Sequence, residues 1–312
     1  MSLYSGDDVA MQELVSEINE LRRRRKAVIL AHTYQNPEIQ DIADVVGDSY
    51  GLSLMATKLP DAEVIVFCGV RFMAETAAIL NPERTVVMPD ASAGCAMAEM
   101  ITADQLRAFK AQHPGAPVVC YVNSTAEVKA ESDICCTSAN AVRVVKSLGD
   151  VPEILFVPDQ YLGHYVEGQL GRKLICWNGG CPVHYALRPE QIAKMKAAYP
   201  DYKVMVHPET TPETQALADY VLSTGGMIEL VKKSSNRKWL VGTEVGILHA
   251  LKKEAPDMEF VHIWPELICH SMKQTTLENL KHSLETLETR ITVPEHIAKP
   301  AAKAIMAMLA VK

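Results

Sequence analysis

Apolar runs of roughly four to eight residues, rich in Val and Ile, alternate along the chain with longer stretches in which apolar positions recur at helical spacing. A strand buried on both faces reads as an unbroken apolar run, and a helix that covers it reads as an apolar stripe, so the rhythm predicts parallel sheets flanked by helices. The class is α/β. Nine strands are expected, at residues 27–31, 64–67, 85–88, 118–122, 154–157, 173–177, 203–207, 238–241 and 259–263. Further amphipathic helices are expected over about 8–25, 274–289 and 299–309. The basic run 22–26 reads as a helix end that complements the dipole in preference to a phosphate patch.

Nine strands divide into three sets of three, and the chain repeats accordingly. VILAHTYQ, VVCYVNST and VMVHPETT each begin as a buried strand and finish in polar side chains. A hydroxyl follows each strand exit at one interval of 17 residues, from His32 to Ser49, from Tyr121 to Ser138 and from His207 to Thr224. These hydroxyls sit in GDSYG, CTSAN and STGGM, each read as opening a helix. Two positions after each exit residue stands a second polar one: Tyr34, Asn123 and Glu209. Cysteine keeps the same period, with Cys95, Cys181 and Cys269 lying 63, 60 and 62 residues after His32, Tyr121 and His207. The expected organisation is an N-terminal helix in 1–26 and three similar three-layer α/β/α units, 27–113, 114–199 and 200–312, each with a small parallel sheet. The last carries the C-terminal helices, and a pseudo-threefold axis relates the units.

Composition narrows the function. Lys and Arg number 31 against 38 Asp and Glu, a formal charge of −7, which excludes the broad basic surface of a nucleic-acid binder. No run approaches the roughly 18 apolar residues of a membrane span, and the first residues lack a signal-peptide pattern, so a cytoplasmic enzyme acting on small molecules is expected. Eight cysteines in a reducing compartment are thiols or metal ligands before they are disulfides.

In parallel α/β units, functional residues gather at the carboxyl ends of strands. Three units around one axis would bring His32, Tyr34, Tyr121, Asn123, His207 and Glu209 into one pocket with the three cysteines. Three thiolates without any CxxC pair match structural zinc poorly and suit a 4Fe-4S cluster with one iron left open, while three ordinary buried thiols remain the bland alternative. Ser49, Ser138 and Thr224 are either N-caps or three anion sites. His207 and Glu209 form an acid/base pair if the pocket moves their pKa values toward neutrality, and Tyr34, Tyr121 and Asn123 can donate to an enolate or carbonyl oxygen. Cys68, Cys120, Cys135, Cys136 and Cys176, and His113, His249, His262, His270, His282 and His296, are taken as packing or surface residues.

The stretches AHTYQNPEIQDIADVVGDS, CGVRFMAETA, PDASAGCAMAE, YVNSTAEVKAESDICCTSANA, PDQYLGHYV, WNGGCPVH, VHPET, YVLSTGGMI and VGTEVG, with the segment around Cys269, resemble the quinolinate synthase family from about residue 28 to 280. The resemblance implies a 4Fe-4S cluster on Cys95, Cys181 and Cys269, with the open iron as Lewis acid. It implies condensation of iminoaspartate with dihydroxyacetone phosphate to quinolinate, losing phosphate and two waters, with functional coupling to L-aspartate oxidase. The matching active-site positions are His32, Tyr34, Ser49, Tyr121, Asn123, Ser138, His207, Glu209 and Thr224. Some family members carry a CxxCxxC stretch at the third ligand; Cys269 stands without it, so the disulfide switch proposed for that stretch is not expected here. Two other readings stay open on the residues alone: an iron-sulfur hydro-lyase for another hydroxy-acid, and a non-catalytic iron-sulfur sensor.

Overall fold

The computed structural model of the chain describes residues 6–58 and 61–311; residues 1–5 of the expected N-terminal segment lie outside them. The described chain forms three four-stranded, all-parallel sheets. The first contains β1 (Ala27–His32), β2 (Val45–Gly47), β3 (Val64–Cys68) and β4 (Thr85–Val87); the second β5 (Val118–Tyr121), β6 (Ile134–Cys136), β7 (Leu155–Val157) and β8 (Ile175–Cys176); the third β9 (Lys203–Val206), β10 (Tyr220–Val221), β11 (Lys238–Gly242) and β12 (Glu259–His262). Each sheet has the same spatial order, second–first–third–fourth in chain sequence, as the threefold reading requires. The nine expected strands are all present. Each set of three has gained a fourth, β2, β6 or β10, so the expected count of three strands per sheet is corrected to four.

The central strands are apolar on both faces because helices cover both: β3 is buried at every position, as is β5. One hydrogen bond recurs in all three units. Asp44, Asp133 and Asp219 each stand just before the extra edge strand and accept the backbone N–H of the residue 15 positions earlier, Ile29, Val118 and Val204, at 2.8, 2.7 and 2.9 Å. The carboxylate fixes where the edge strand begins against the start of its neighbour. Long helices then close the molecule. Gly6–Arg24 packs against Leu277–Thr286, and Leu277, Leu280 and Leu284 join Ile18, Leu21 and Ile29 in one buried cluster on the first sheet. The final helix, Glu295–Ala310, buries Ala301, Ala304, Ile305 and Met308 beside the second sheet. The basic helix end is engaged structurally. Arg22 pairs with Asp44, Arg25 donates to the carbonyls of Leu284 and Glu285 at the end of another helix, and Lys26 pairs with Glu63. Among the described residues no helix is long and apolar enough to cross a membrane.

Candidate active site

The first strand of every sheet delivers its last residue or the next one to a common centre. His32 ends β1, Tyr121 ends β5 and His207 follows β9; all three are almost fully buried. The turns after them supply Tyr34, Asn123 and Glu209. The segments after the fourth strands supply Cys95, Cys181 and Cys269. All twelve residues expected from the sequence line one cavity.

The three hydroxyls reach this cavity differently than their helix-opening motif predicts. Ser49 and Thr224 begin the helices Ser49–Ala56 and Thr224–Lys233, but the N-caps are the preceding residues: Asp48 accepts Gly51 N–H and Ser223 accepts Gly226 N–H. With capping done elsewhere, both hydroxyls are released to face the cavity. Ser138 departs from the pattern, lying in a turn three residues ahead of the helix Ala141–Ser147. Asp48 also makes a second contact: its other oxygen accepts Gly225 N–H at 3.2 Å, so one carboxylate sits on the N-termini of a first-unit and a third-unit helix. A Cβ at Gly225 would stand 2.6 Å from that oxygen and push it off.

Burial and hydrogen bonding set the charges. Burial holds the His32 and His207 imidazoles near pKa 3, so both are neutral at pH 7. Burial also raises the Tyr34 and Tyr121 phenols well above their ordinary range. For Glu209 burial pushes upward, but His207, His184 and the hydrogen bonds from His184 and Tyr121 outweigh it and bring the carboxyl down to about 2. The expected convergence of His207 and Glu209 on neutrality is therefore corrected: the pocket as it stands moves both downward, and Glu209 is ionised beside neutral imidazoles.

Glu209 is the hub. Tyr121 donates its hydroxyl to Oε1 at 2.5 Å, and His184 Nδ1 lies 2.5 Å from Oε2. His184 Nε2 is 2.8 Å from Thr243 Oγ1, which is 2.6 Å from the Tyr34 hydroxyl, itself 2.8 Å from Thr224 Oγ1. His184 and Thr243 were not singled out from the sequence. His184 follows Cys181 by three residues on one short helix, Pro182–Tyr185, a Cys-x-x-His spacing that could have drawn notice. Glu244 was also missed. It is fully buried, accepts the backbone N–H of Cys269 at 3.2 Å and pairs with Lys273 at 3.0 Å, while Lys273 reaches the Tyr34 carbonyl. The third cysteine's loop is thereby fastened to the exit of β1.

The cysteine set suits a metal group that brings its own positive charge. Burial raises the Cys95 thiol to about 12, with Cys269 and Glu209 adding to the rise, and burial raises Cys181 well above its ordinary value, with Glu209, Cys95 and Cys269 again adding. The three sulfurs feel one another, and the buried Lys129 ammonium also feels Cys95. Such thiols become thiolates when a metal is their partner. Cys181, His184 and Glu209 also place ligand atoms within 4.8 Å of one another. The remaining five cysteines do not line this cavity.

Comparison with known proteins agrees with this architecture. Residues 16–310 match the family described as Quinolinate synthetase A protein. A protein named quinolinate synthase from Dehalococcoides mccartyi is 56% identical over 300 residues, covering 96% of this chain and 99% of that one. Proteins of the same name from Desulforudis audaxviator and Methanoregula boonei are 54% identical over 298 residues and 50% identical over 304 residues, covering 96% and 97% of this chain and 98% and 99% of their own lengths. A match running through all three sheets and every residue of the cavity places the chain in the quinolinate synthetase A protein family, enzymes of NAD biosynthesis.

Proposed function

We propose that the cavity condenses iminoaspartate, the kind of product L-aspartate oxidase supplies, with dihydroxyacetone phosphate, giving quinolinate, phosphate and two waters. Cys95, Cys181 and Cys269 would hold a 4Fe-4S cluster there. The observation that carries the reading is the convergence of three distant thiols and nine polar residues, drawn from three units, on one cavity. When bound, such a cluster supplies a Lewis-acidic iron that lowers the cost of negative charge on a departing oxygen.

The chain's own residues do the rest. Ser49, Ser138 and Thr224 each offer a hydroxyl from a separate unit, a set matched to substrates that together carry two carboxylates and a phosphate. The Asn123 side-chain oxygen is buried without a protein partner, so it is available to a substrate N–H or O–H. Tyr34 and Tyr121 hold their protons and donate to oxygen atoms that gain charge. Glu209 is the ionised base. Anionic substrates beside it raise its pKa from the low value of the substrate-free site, making proton uptake during carbonyl isomerisation and imine formation easier.

Protein purified without oxygen should be brown and should form quinolinate only when both substrates are supplied; colourless protein of full activity contradicts the reading. Activity that persists without dihydroxyacetone phosphate would favour a hydro-lyase. Cys181→Ser should lose colour and activity together. Cys176→Ser, altering a half-buried thiol on β8, should keep both.

A further inference from the structure

We propose that Glu244, with Lys273 as its partner, is a positioning residue that seats the loop carrying Cys269, so that this sulfur stands in place before any metal arrives. The inference deepens the reading of Cys95, Cys181 and Cys269 as cluster ligands and rests on it. A second repeat, finer than the one that marks the cavity, points to it. Val70, Asp159 and Glu244 each stand two residues after the third strand of their sheet. The next residue, Arg71, Gln160 or Val245, donates its backbone N–H to the carbonyl two places before the cysteine, that of Ala93, Gly179 or Leu267, at 2.9, 2.9 and 3.0 Å. Every cysteine loop is hooked to the turn beside it in this one way.

What differs is the side chain on that turn. Val70 in the first unit has no polar group to add. Asp159 spends Oδ1 on the N–H groups of Tyr161 and Leu162 at 2.8 and 3.0 Å, and its Oδ2 has no protein partner, although the nearby Cys181 N–H helps to oppose the rise that burial imposes on its carboxyl. Glu244 completes the arrangement. Its Oε1 accepts the Cys269 N–H at 3.2 Å and the Lys273 ammonium at 3.0 Å, and its Oε2 accepts the Gly246 N–H at 2.6 Å. Both oxygens of this fully buried side chain are engaged by the protein, so it acts through the ligand loop. Cys269 ends a stretch, 263–269, with neither helix nor strand, so no regular backbone ladder fixes it. Lys273 also donates to the Tyr34 carbonyl, and Asn36 donates to the carbonyls of Lys273 and Thr275 at 3.3 and 3.1 Å, which pins the loop across to the first unit. The packing leaves no slack: a Cβ on Gly246 would stand 2.7 Å from the Tyr34 carbonyl oxygen, 2.8 Å from Glu244 Oε2 and 2.8 Å from Lys273 Nζ. A buried ion pair is costly to desolvate, and what this one secures is the direction of one thiol.

Loss of a group that orients a metal ligand weakens metal binding about 10–100-fold. Anaerobically reconstituted protein should therefore release iron to a ferrous chelator on the order of 10-fold faster in Glu244→Gln than in wild type. Lys273→Met, which leaves the carboxylate without its cation, should do the same, and Lys273→Arg should restore slow release. Gly246→Ala, which keeps every charge and only wedges the three groups apart, should also speed it. Asp219→Asn is the control for weakened folding in the same unit: it should lower the urea midpoint yet keep iron as wild type does. Wild-type release from Glu244→Gln and Gly246→Ala, or release from Asp219→Asn as fast as from Glu244→Gln, or equal release from Lys273→Arg and Lys273→Met, would overturn the proposal. Wild-type protein that takes up no iron and sulfide would instead sink the reading of the cysteines as cluster ligands.

Discussion

His32 and His207 would titrate near 6.5 in an unfolded chain and titrate near 3 in the folded one. Between those values the unfolded chain binds more protons, so stability is lost as pH falls through that window. Glu209, depressed from 4.5 to about 2, acts in the same direction lower down: its contribution is present above 4.5 and disappears toward 2. Denaturation midpoints of the cluster-free protein should decline from about pH 6.5, before ordinary carboxylates titrate, and His207→Gln should reduce that upper slope. A flat profile from pH 7 to 4.5 would contradict the buried, neutral imidazoles. The same two histidines were legible in the sequence because each stands at the exit of a first strand, and the repeat marks that position in each unit. His184 was not. The positions three residues after Cys95 and Cys269 are Ala98 and Met272, so nothing in the repeat points to the ring that fastens Glu209.

At the level of elements, long buried strands announce themselves and short edge strands do not. β2 and β6 have three residues and β10 has two, and β2 and β10 are partly exposed, so none makes a clear apolar run. β6 is fully buried, but its Ile-Cys-Cys reads as packing in sequence. What places all three is the carboxylate of Asp44, Asp133 or Asp219, a contact at a distance that periodicity does not encode. The short helix after each first strand has an equivalent position, occupied by Gln40, Lys129 and Gln215. Gln40 donates to the Gln35 carbonyl, Lys129 to that of Ser124 and Gln215 to that of Thr210, at 2.8, 2.8 and 2.7 Å. The second unit thus uses a fully buried ammonium where the other two use a neutral amide, and burial lowers the Lys129 pKa. Lys129→Gln should therefore unfold within about 1 kcal/mol of wild type or above it, since a buried charge is costly to desolvate. Lys129→Met, which strands the Ser124 and Phe72 carbonyls, should cost about 1–3 kcal/mol. Urea midpoints compare the two; equal losses would show that the hydrogen bond is immaterial.

For the whole molecule, three sheets of one topology supply one chamber, and the seam between the first and third units is closed at Asp48. Its carboxylate caps one helix and touches the start of another, so Asp48→Ala should remove about 1 kcal/mol from the cap alone and more through the lost inter-unit bond. Denaturant unfolding measures the sum. Asp48→Asn, which keeps an acceptor but no charge, should fall between wild type and Asp48→Ala; a result equal to Ala would assign the whole effect to charge. The threefold plan was legible because intervals of 17 residues survive in the sequence, whereas the seam was not, because it joins two of the repeated segments across 177 positions and a repeat marks equivalence, not contact.

Where one acid is shared between two rows of amide dipoles, alongside the ties of Asp41 to His249 and Lys253, opening of the rim should respond to electrostatics. Counter-ions that crowd such helix starts weaken their pull on the acid. Entry to the chamber should quicken as ionic strength rises, even though nothing inside it has changed.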